Sequence, residues 1–217
     1  MNEIDSVCFI HPFTCIIAGA TGSGKTYWLT NVLINHLLLI SKPIERLIYC
    51  YSIFLKDTFA ELKKHFPFIE LYQGLNDNLQ FDPLKNNFLI LDDLLHDCVK
   101  SSSICDLFTR GSHHSNLSIF LLTQNIFQKA NFARTINTNA HYVVYFKNPR
   151  DNQQIQFLGR QMYPNKSGFL NEAYLDAVKR PHGYLFIDFK QSTSDKYRVK
   201  TNVLPSDPKP LIVYVPK

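Results

Sequence analysis

The chain carries the run Gly19-Ala20-Thr21-Gly22-Ser23-Gly24-Lys25-Thr26, which fits the pattern G-x-x-x-x-G-K-[ST] at every fixed position. An apolar stretch short enough for a buried strand precedes it at 13–18, and a stretch long enough for a helix follows it at 27–38. A strand, a glycine-rich loop and a helix start together form a nest of backbone N–H groups that binds phosphate. This stretch therefore predicts a strand, a phosphate-binding loop and a helix, in that order.

The residue types inside the loop each match one part of nucleotide binding. The glycines let backbone N–H groups converge on the β-phosphate of a nucleotide. The Lys25 ammonium can reach the β- and γ-phosphates, and the Thr26 hydroxyl is a ligand for Mg²⁺. The candidates for binding ATP are Gly19, Ala20, Thr21, Gly22, Ser23, Gly24, Lys25 and Thr26.

A second motif stands at residues 86–93, where four apolar residues are followed by the acids Asp92 and Asp93. This order is typical of a Walker-B strand, which ends beside the phosphate-binding loop. There Asp92 can hold Mg²⁺ through water, and Asp93 can orient or deprotonate the attacking water. The alternative is that the two acids only cap a helix that starts at Leu94.

The next apolar run, residues 117–123, ends in the amides Gln124 and Asn125. An amide at the tip of the strand after the Walker-B strand can contact the γ-phosphate and the attacking water. Gln124 is therefore a candidate catalytic residue, and the alternative is that both amides cap the following helix. Kinases of small molecules usually lack this amide and carry an arginine-rich lid, of which the sequence gives no sign.

Apolar runs alternate with helix-length segments along most of the chain, which predicts an α/β fold with a central, mostly parallel sheet. A short polar loop joins the last two predicted strands, so we expect a β-hairpin at one edge of the sheet. The predicted strands are 13–19, 46–51, 87–92, 117–123, 141–146, 183–189 and 197–203, and the predicted helices are 25–40, 55–65, 94–109, 126–133, 149–161 and 171–178. Residues 67–83 could add a short strand or hairpin.

The length of 217 residues fits one domain, which we place at 1–204, followed by a proline-rich tail at 205–217. The tail is expected to be extended, and either packing on a neighbouring subunit or disorder fits its composition. We expect no membrane span and no signal peptide, because no segment has the required length and apolarity. The five cysteines have no C-x-x-C spacing, which indicates thiols in a reducing compartment.

The net charge of +5 is unevenly distributed along the chain. Residues 147–200 hold 10 Lys+Arg against 5 Asp+Glu, whereas residues 1–146 hold 11 against 12. A basic C-terminal third suits a polyanion such as nucleic acid. A solvated surface that happens to be basic fits the same numbers, so charge alone leaves both interpretations open.

Further stretches complete a family pattern together with the two nucleotide motifs: 110–114, 121–125, 137–151 and 183–188. Taken in order, these motifs resemble the viral genome-packaging ATPases of the FtsK/HerA superfamily, of the poxvirus and Maverick/Polinton types. The resemblance covers about residues 13–204. It implies a P-loop NTPase fold of the RecA/FtsK type that binds ATP and Mg²⁺.

The resemblance also implies partners and a place of action. A motor of this family forms a ring, here a pentamer or a hexamer, and moves double-stranded DNA into a capsid. Contacts with capsid or portal-vertex proteins follow from that activity. The implied location is intracellular, at the site of virus assembly in the infected cell, and association with the virion is compatible with it.

An arginine just before the strand that ends in Gln124 is the superfamily's usual candidate for a finger that acts on the neighbouring subunit. Arg110 holds that position, and an arginine that reaches the neighbour's γ-phosphate would make hydrolysis depend on assembly. Arg134 is a second candidate, and a surface salt bridge is the alternative for both. His113 and His114 have no partners at metal-ligand spacing, so we expect them to shape their loop or to contact DNA or a neighbour.

Three other functions remain open from the residues alone. A replication helicase or loader would also bind nucleic acid and form rings, but it normally carries an additional domain for which this chain has little room. A small-molecule kinase would be insensitive to DNA. A nucleotide-regulated scaffold would not need Lys25, Asp92 and Asp93 together.

Overall fold

The computed structural model of the protein describes residues 9–76, 78–111, 115–125, 132–149 and 153–216. Its strands are β1 (Thr14–Ala18), β2 (Arg46–Tyr51), β3 (Glu70–Gln73), β4 (Asn87–Asp92), β5 (Leu117–Thr123), β6 (Tyr142–Phe146), β7 (Tyr184–Asp188), β8 (Val199–Thr201) and β9 (Ile212–Tyr214). Its α-helices are α1 (Lys25–Ile34), α2 (His36–Leu39), α3 (Lys56–His65), α4 (Leu95–Cys98), α5 (Ser102–Asp106), α6 (Ala133–Thr138), α7 (Gln153–Met162) and α8 (Phe169–Ala177). A π-helical turn, Leu107–Gly111, continues α5.

The described strands form one sheet of nine in the order β3-β2-β4-β5-β1-β6-β7-β8-β9. The strands from β3 to β6 run parallel to one another, and β7, β8 and β9 follow in antiparallel pairs. Strands β1 and β5 are buried along their whole length, as expected for a parallel sheet that is covered on both faces. The predicted α/β class, with antiparallel C-terminal strands at the edge of the sheet, is confirmed.

Alternate residues of each central strand pack against opposite faces of the sheet. In β1, Cys15 and Ile17 join a core with α1 and α3, whereas Ile16 and Ala18 join a core with α5, α6, α7 and α8. A shift of one residue would exchange the two sets of side chains, so the two cores fix the register of the strand. Among the described residues, no helix is both long enough and apolar enough to cross a bilayer.

Strand β5 lies between β4 and β1, and this position determines where the site forms. Asp92 at the end of β4 pairs with Leu122, and Ala18 at the end of β1 pairs with Thr123. The carboxyl ends of the three strands therefore lie side by side. Residues that follow them meet at one edge of the sheet, where ligands of open α/β sheets bind.

Two of the predicted helices are interrupted by polar side chains. The helix predicted at 25–40 divides into α1 and α2 at Asn35, whose backbone N–H and Nδ2 both donate to Asn31 O, at 3.0 and 2.9 Å. The helix predicted at 94–109 divides into α4 and α5, because Ser101 Oγ accepts a hydrogen bond from the N–H three residues later, at 3.2 Å, and caps α5. Such side chains compete with the helix for backbone groups.

The C-terminal tail contributes a strand to the chain's own sheet. Strand β9, from the tail predicted at 205–217, pairs antiparallel with β8 and forms the outer edge of the sheet. Of the two alternatives for the tail, disorder does not describe this part, because its apolar residues have a pairing partner within the chain. Packing on a neighbouring subunit stays a prediction. The described part of 67–83, which leaves out residue 77, contributes the strand β3, which runs parallel to β2 and forms no hairpin with it.

Candidate nucleotide-binding site

The phosphate-binding loop closes tightly over the end of β1. The Gly19 N–H donates to Thr123 O at 3.2 Å, which ties the start of the loop to the end of β5. A Cβ on Gly19 would lie 2.6 Å from the Phe146 Cβ, so no larger residue fits there without a shift. Gly24 has a φ of 104°, a conformation that suits glycine, and α1 begins at the next residue. The loop therefore depends on these glycines and leads directly into the free N–H groups of a helix start.

Lys25 lies across this loop. Its Nζ donates to Gly19 O at 2.7 Å and to Ala20 O at 3.0 Å, so these contacts use two of the three donors of an ammonium group. Burial lowers the pKa of Lys25, and the nearby carboxylates of Asp92 and Asp93 oppose that effect. Because burial makes the charge costly, an anionic ligand beside Lys25 would be stabilising.

Asp92 ends β4 with its carboxylate held by a tyrosine. The Tyr49 hydroxyl, in the adjacent strand β2, donates to Asp92 Oδ2 at 2.7 Å. Burial raises the pKa of Asp92, and the neighbouring Asp93 adds to the rise, whereas the Tyr49 hydrogen bond and the charge of Lys25 lower it. A cation bound here would favour the charged carboxylate further, so the position suits a metal ligand.

Asp93 turns out of the strand. Its φ is 56°, a left-handed conformation that Asp adopts more readily than most residues. Its N–H donates to Leu122 O at 3.2 Å, which fixes the turn against β5. The side chain is exposed to solvent. Strained backbone of this kind concentrates at functional sites, and here it presents a carboxylate where water has access.

Gln124 stands in a turn that its two neighbours form. Thr123 Oγ1 accepts a hydrogen bond from Asn125 N at 3.2 Å and donates one to Asn125 O at 3.0 Å. The side chain of Gln124 is exposed at the carboxyl end of β5. Of the two amides, Asn125 therefore forms the turn through its backbone, and Gln124 is the one placed at the site.

The predicted residues meet at one cavity of about 190 Å³. The phosphate-binding loop and the segments that follow β2, β4 and β5 supply its walls: Thr21, Gly22, Lys25, Thr26, Ser52, Ile53, Leu55, Asp92, Asp93, Leu122 and Gln124. The structure thus brings together the lysine, the threonine, both acids and the amide that the motifs singled out.

The structure also adds residues that sequence reasoning missed. Ser52, Ile53 and Leu55 follow β2 and line the cavity, and Tyr49 holds the carboxylate of Asp92. Strand β2 is the neighbour of β4, so the loop after it reaches the same edge of the sheet. Only the order of the strands could have indicated these residues, since they belong to no local motif.

The predictions on arginine and histidine fall partly outside the described residues. His113 and His114 are among those not described, and for Arg110 only the backbone is described, in the turn Leu107–Gly111. This turn contacts α6 and leads towards the amino end of β5, away from the carboxyl ends that hold the cavity. Arg134 is exposed on α6. Within the described part of the chain, no cluster of His, Cys, Asp and Glu could hold a metal ion by itself.

The site has the donors and the space for a nucleotide with Mg²⁺. A Cβ on Gly22 would meet no atom within 4 Å, so the loop keeps an open cradle. Backbone N–H groups and the Lys25 ammonium complement phosphate oxygens. The Thr26 hydroxyl and the Asp92 carboxylate are hard oxygen ligands of the kind that Mg²⁺ prefers. ATP with Mg²⁺ therefore fits the residues present.

No protein-family model and no curated protein matches the chain. Among solved structures, the genome packaging NTPase B204 from Sulfolobus turreted icosahedral virus 2, in complex with ATP-gammaS, aligns over 94% of this chain and 98% of its own, with a TM-score of 0.51 and 13% identity. EccC (ATPases 2 and 3) from Thermomonospora curvata, in complex with a signal sequence peptide, aligns over 82% of this chain and 36% of its own, with a TM-score of 0.51 and 14% identity. These likenesses show that the chain has the fold of P-loop ATPases, as the sequence predicts.

Proposed function

We propose that this chain hydrolyses ATP with Mg²⁺ and couples hydrolysis to the movement of double-stranded DNA, as a viral genome-packaging motor. The observation that carries the ATPase part is the convergence of Lys25, Thr26, Asp92, Asp93 and Gln124 on one cavity. The motor part is supported by the family resemblance of the motifs and by the shared fold of B204. Contacts with capsid or portal-vertex proteins, and action inside the infected cell, belong to the same proposal.

Each residue then has a defined task. The loop N–H groups and Lys25 bind the β- and γ-phosphates, and Thr26 and Asp92 hold Mg²⁺. When bound, Mg²⁺ supplies positive charge that neutralises the phosphate oxygens. Asp93, exposed and fixed by its turn, orients the attacking water and accepts its proton. Gln124 positions the same water from the neighbouring strand.

The Tyr49→Phe variant should need more Mg²⁺ for turnover than the wild type. The change removes the hydroxyl that donates to Asp92 Oδ2 at 2.7 Å and keeps the ring. A hydrogen bond to a charged group is worth about 1.5–3 kcal/mol, so the half-saturating Mg²⁺ concentration should rise about 10-fold or more. Titrating Mg²⁺ at saturating ATP measures this half-saturating concentration.

Tyr72→Phe is the matched control for that experiment. The Tyr72 hydroxyl donates to Glu70 Oε2 at 3.0 Å within β3, at the outer edge of the sheet. The Tyr72→Phe variant should leave the Mg²⁺ requirement unchanged. Equal shifts in the two variants would contradict a positioning role for Tyr49.

We place the ATPase in a ring in which Arg110 acts on the neighbour's nucleotide. The turn that contains Arg110 leads to the amino end of β5, whereas the cavity lies at the carboxyl end of that strand. Contact between Arg110 and a γ-phosphate is therefore expected from a second copy of the chain. Arg134, exposed on α6, is the alternative finger.

Mixing Arg110→Ala subunits with Asp93→Asn subunits should restore part of the activity that each variant lacks. In a mixed ring, some interfaces pair an intact arginine with an intact Asp93. Because an arginine finger typically contributes about 10³–10⁵-fold to turnover, the recovery should be large against either variant alone. ATPase assays over a series of mixing ratios measure this recovery of activity. The same mixture made with Arg134→Ala identifies the alternative finger, and no recovery in either mixture would refute action in trans.

The basic excess of the C-terminal third is partly occupied within the chain. Lys179, Arg180 and Arg198 form ion pairs with Asp176, Asp207 and Asp195, Lys190 Nζ donates to Ile10 O at 2.6 Å, and Lys200 is 1% exposed. Lys147, Arg160 and Lys196 have exposed side chains. The surface available for a phosphate backbone is therefore smaller than the residue count indicates, and we place DNA contact at Lys147 and Arg160.

Duplex binding should be independent of base sequence and should weaken steeply as salt increases, since a packaging motor must grip any genome by its phosphates. Lys147→Glu and Arg160→Glu, tested singly, should each lower the affinity for duplex DNA and reduce the slope of log K against log salt by about one for each lost contact. Lys179→Glu, whose lysine pairs with Asp176, is tested beside them. Lys64→Glu, on the exposed face of α3, is the control. If all four variants bind DNA alike, the basic third is only a solvated surface.

A further inference from the structure

A second cavity, of about 230 Å³, adjoins the phosphate-binding loop. We propose that it binds the adenine base and the ribose of the nucleotide, with Tyr27 as the stacking surface for the base. This inference rests on the proposed function, because the loop must hold the phosphates of the same molecule. It adds the C-terminal tail to the residues that recognise the substrate.

Consecutive residues at the start of α1 line the two cavities. Lys25 and Thr26 line the first cavity, and Gly24 and Tyr27 line the second. A ligand anchored by its β- and γ-phosphates at Lys25 has its α-phosphate at the helix start, so its nucleoside continues past Tyr27. Ligand pockets usually have volumes of at least roughly 300 Å³. Each of the two cavities is smaller than this, and their combined volume is larger.

Tyr27 offers a flat aromatic surface that the core does not use. Its exposed fraction is 70%, whereas the adjacent Trp28 is 2% exposed and packs edge to face with Tyr184. Bases of nucleotides stack on aromatic side chains of this kind. Tyr27 is therefore placed to bind a base without any rearrangement of the core around Trp28.

His182 joins the wall of the second cavity to the phosphate-binding loop. Its φ is 58°, and its Nδ1 lies 3.1 Å from Ser23 O. A carbonyl oxygen can only accept, so His182 Nδ1 donates this hydrogen bond. The left-handed backbone at a residue other than glycine marks a position that the surrounding structure holds in place.

The tail residues of this cavity are held rigidly. Asp207 accepts hydrogen bonds from the Tyr184 hydroxyl at 2.5 Å, from Arg180 Nη2 at 3.0 Å and from Leu204 N at 2.9 Å. Arg180 also donates to the side-chain oxygen of Asn202. These contacts fix the segment after Leu204 against β7, so the wall exists before a ligand binds, which reduces the ordering cost of binding.

Comparing ATP with inorganic tripolyphosphate separates the nucleoside from the phosphates. Calorimetric titration of the wild-type chain, Tyr27→Ala and Tyr27→Phe with both ligands and Mg²⁺ is the test. Tyr27→Ala should weaken ATP binding about 5- to 150-fold, the range that alanine substitution gives for base stacking, and should leave tripolyphosphate unchanged. Tyr27→Phe keeps the aromatic surface and should bind ATP like the wild type.

Tyr197→Ala is the matched control, because Tyr197 is also exposed, at 46%, and does not line either cavity. It should bind both ligands normally. Unchanged ATP binding by Tyr27→Ala, or an equal loss for ATP and tripolyphosphate, would overturn this inference and leave the ATPase proposal in place. A wild-type chain that binds neither ligand would overturn both.

Discussion

Replacing Lys25 by Ala should abolish measurable ATP binding. The substitution removes the cation beside the site of the β- and γ-phosphates and the two hydrogen bonds that Lys25 donates to Gly19 O and Ala20 O. Charge-assisted hydrogen bonds are worth about 1.5–3 kcal/mol each, so losing the contacts of Lys25 with two phosphates should weaken affinity about 100-fold or more. Equilibrium titration with ATP and Mg²⁺ measures the loss.

The control for this variant is Lys64→Ala, which removes an exposed lysine of α3 that pairs with Glu61 at 3.1 Å. It should bind ATP normally. Both variants should retain the thermal unfolding transition of the wild type, since burial makes the charge of Lys25 costly and its loss does not open the core. Near-normal ATP affinity in Lys25→Ala would show that the loop does not bind phosphate.

Replacing Asp93 by Asn should keep ATP binding and stop hydrolysis. The amide has the size of the carboxylate, so the left-handed turn at φ 56° and the bond to Leu122 O at 3.2 Å should persist. The amide cannot take a proton from water, and loss of a general base typically costs about 10²–10⁴-fold in rate. Single-turnover hydrolysis, measured beside ATP affinity, separates the two effects.

Asp97→Asn is a suitable comparison for Asp93→Asn, because Asp97 is an exposed acid of α4 that does not line the cavity. Its turnover should equal that of the wild type. If Asp93→Asn also hydrolysed ATP at the wild-type rate, another group would have to be the base. Asp92 is unsuited to that role in the proposal, since it is assigned to Mg²⁺.

The central sheet was predictable because local pattern and tertiary position agree there. Predicted strands 46–51, 87–92 and 117–123 coincide with β2, β4 and β5. Each is a short apolar run that the fold buries on both faces, so periodicity alone describes it. The helix divisions at Asn35 and Ser101 were missed because a single polar side chain that caps a backbone group interrupts an otherwise helical pattern.

The site was predictable to the extent that its residues belong to motifs. Lys25, Asp92 and Gln124 were named from sequence and line one cavity. Tyr49 was not named, because its role depends on the pairing of β2 with β4, which places its hydroxyl 2.7 Å from Asp92 Oδ2. Pairing between distant strands leaves no mark in a local stretch of sequence.

Two features of the C-terminal third depend on contacts that composition does not reveal. The tail strand β9 exists because β8 offers it an edge. The number of basic residues exceeds the available basic surface, because Arg180, Arg198 and Lys179 each have an acidic partner in the chain. Counting charges therefore does not identify the residues that a polyanion could meet, and a nucleic-acid partner stays a prediction.

In the proposed function, ATP hydrolysis by this chain serves movement along duplex DNA. The most direct measurement is the ATPase rate per subunit over a range of protein concentrations, with and without duplex DNA, at low and physiological salt. The rate per subunit should rise with concentration as rings assemble and should rise further with duplex DNA of any sequence, less so as salt increases. A monomeric protein with a constant rate per subunit that duplex DNA leaves unchanged would contradict it.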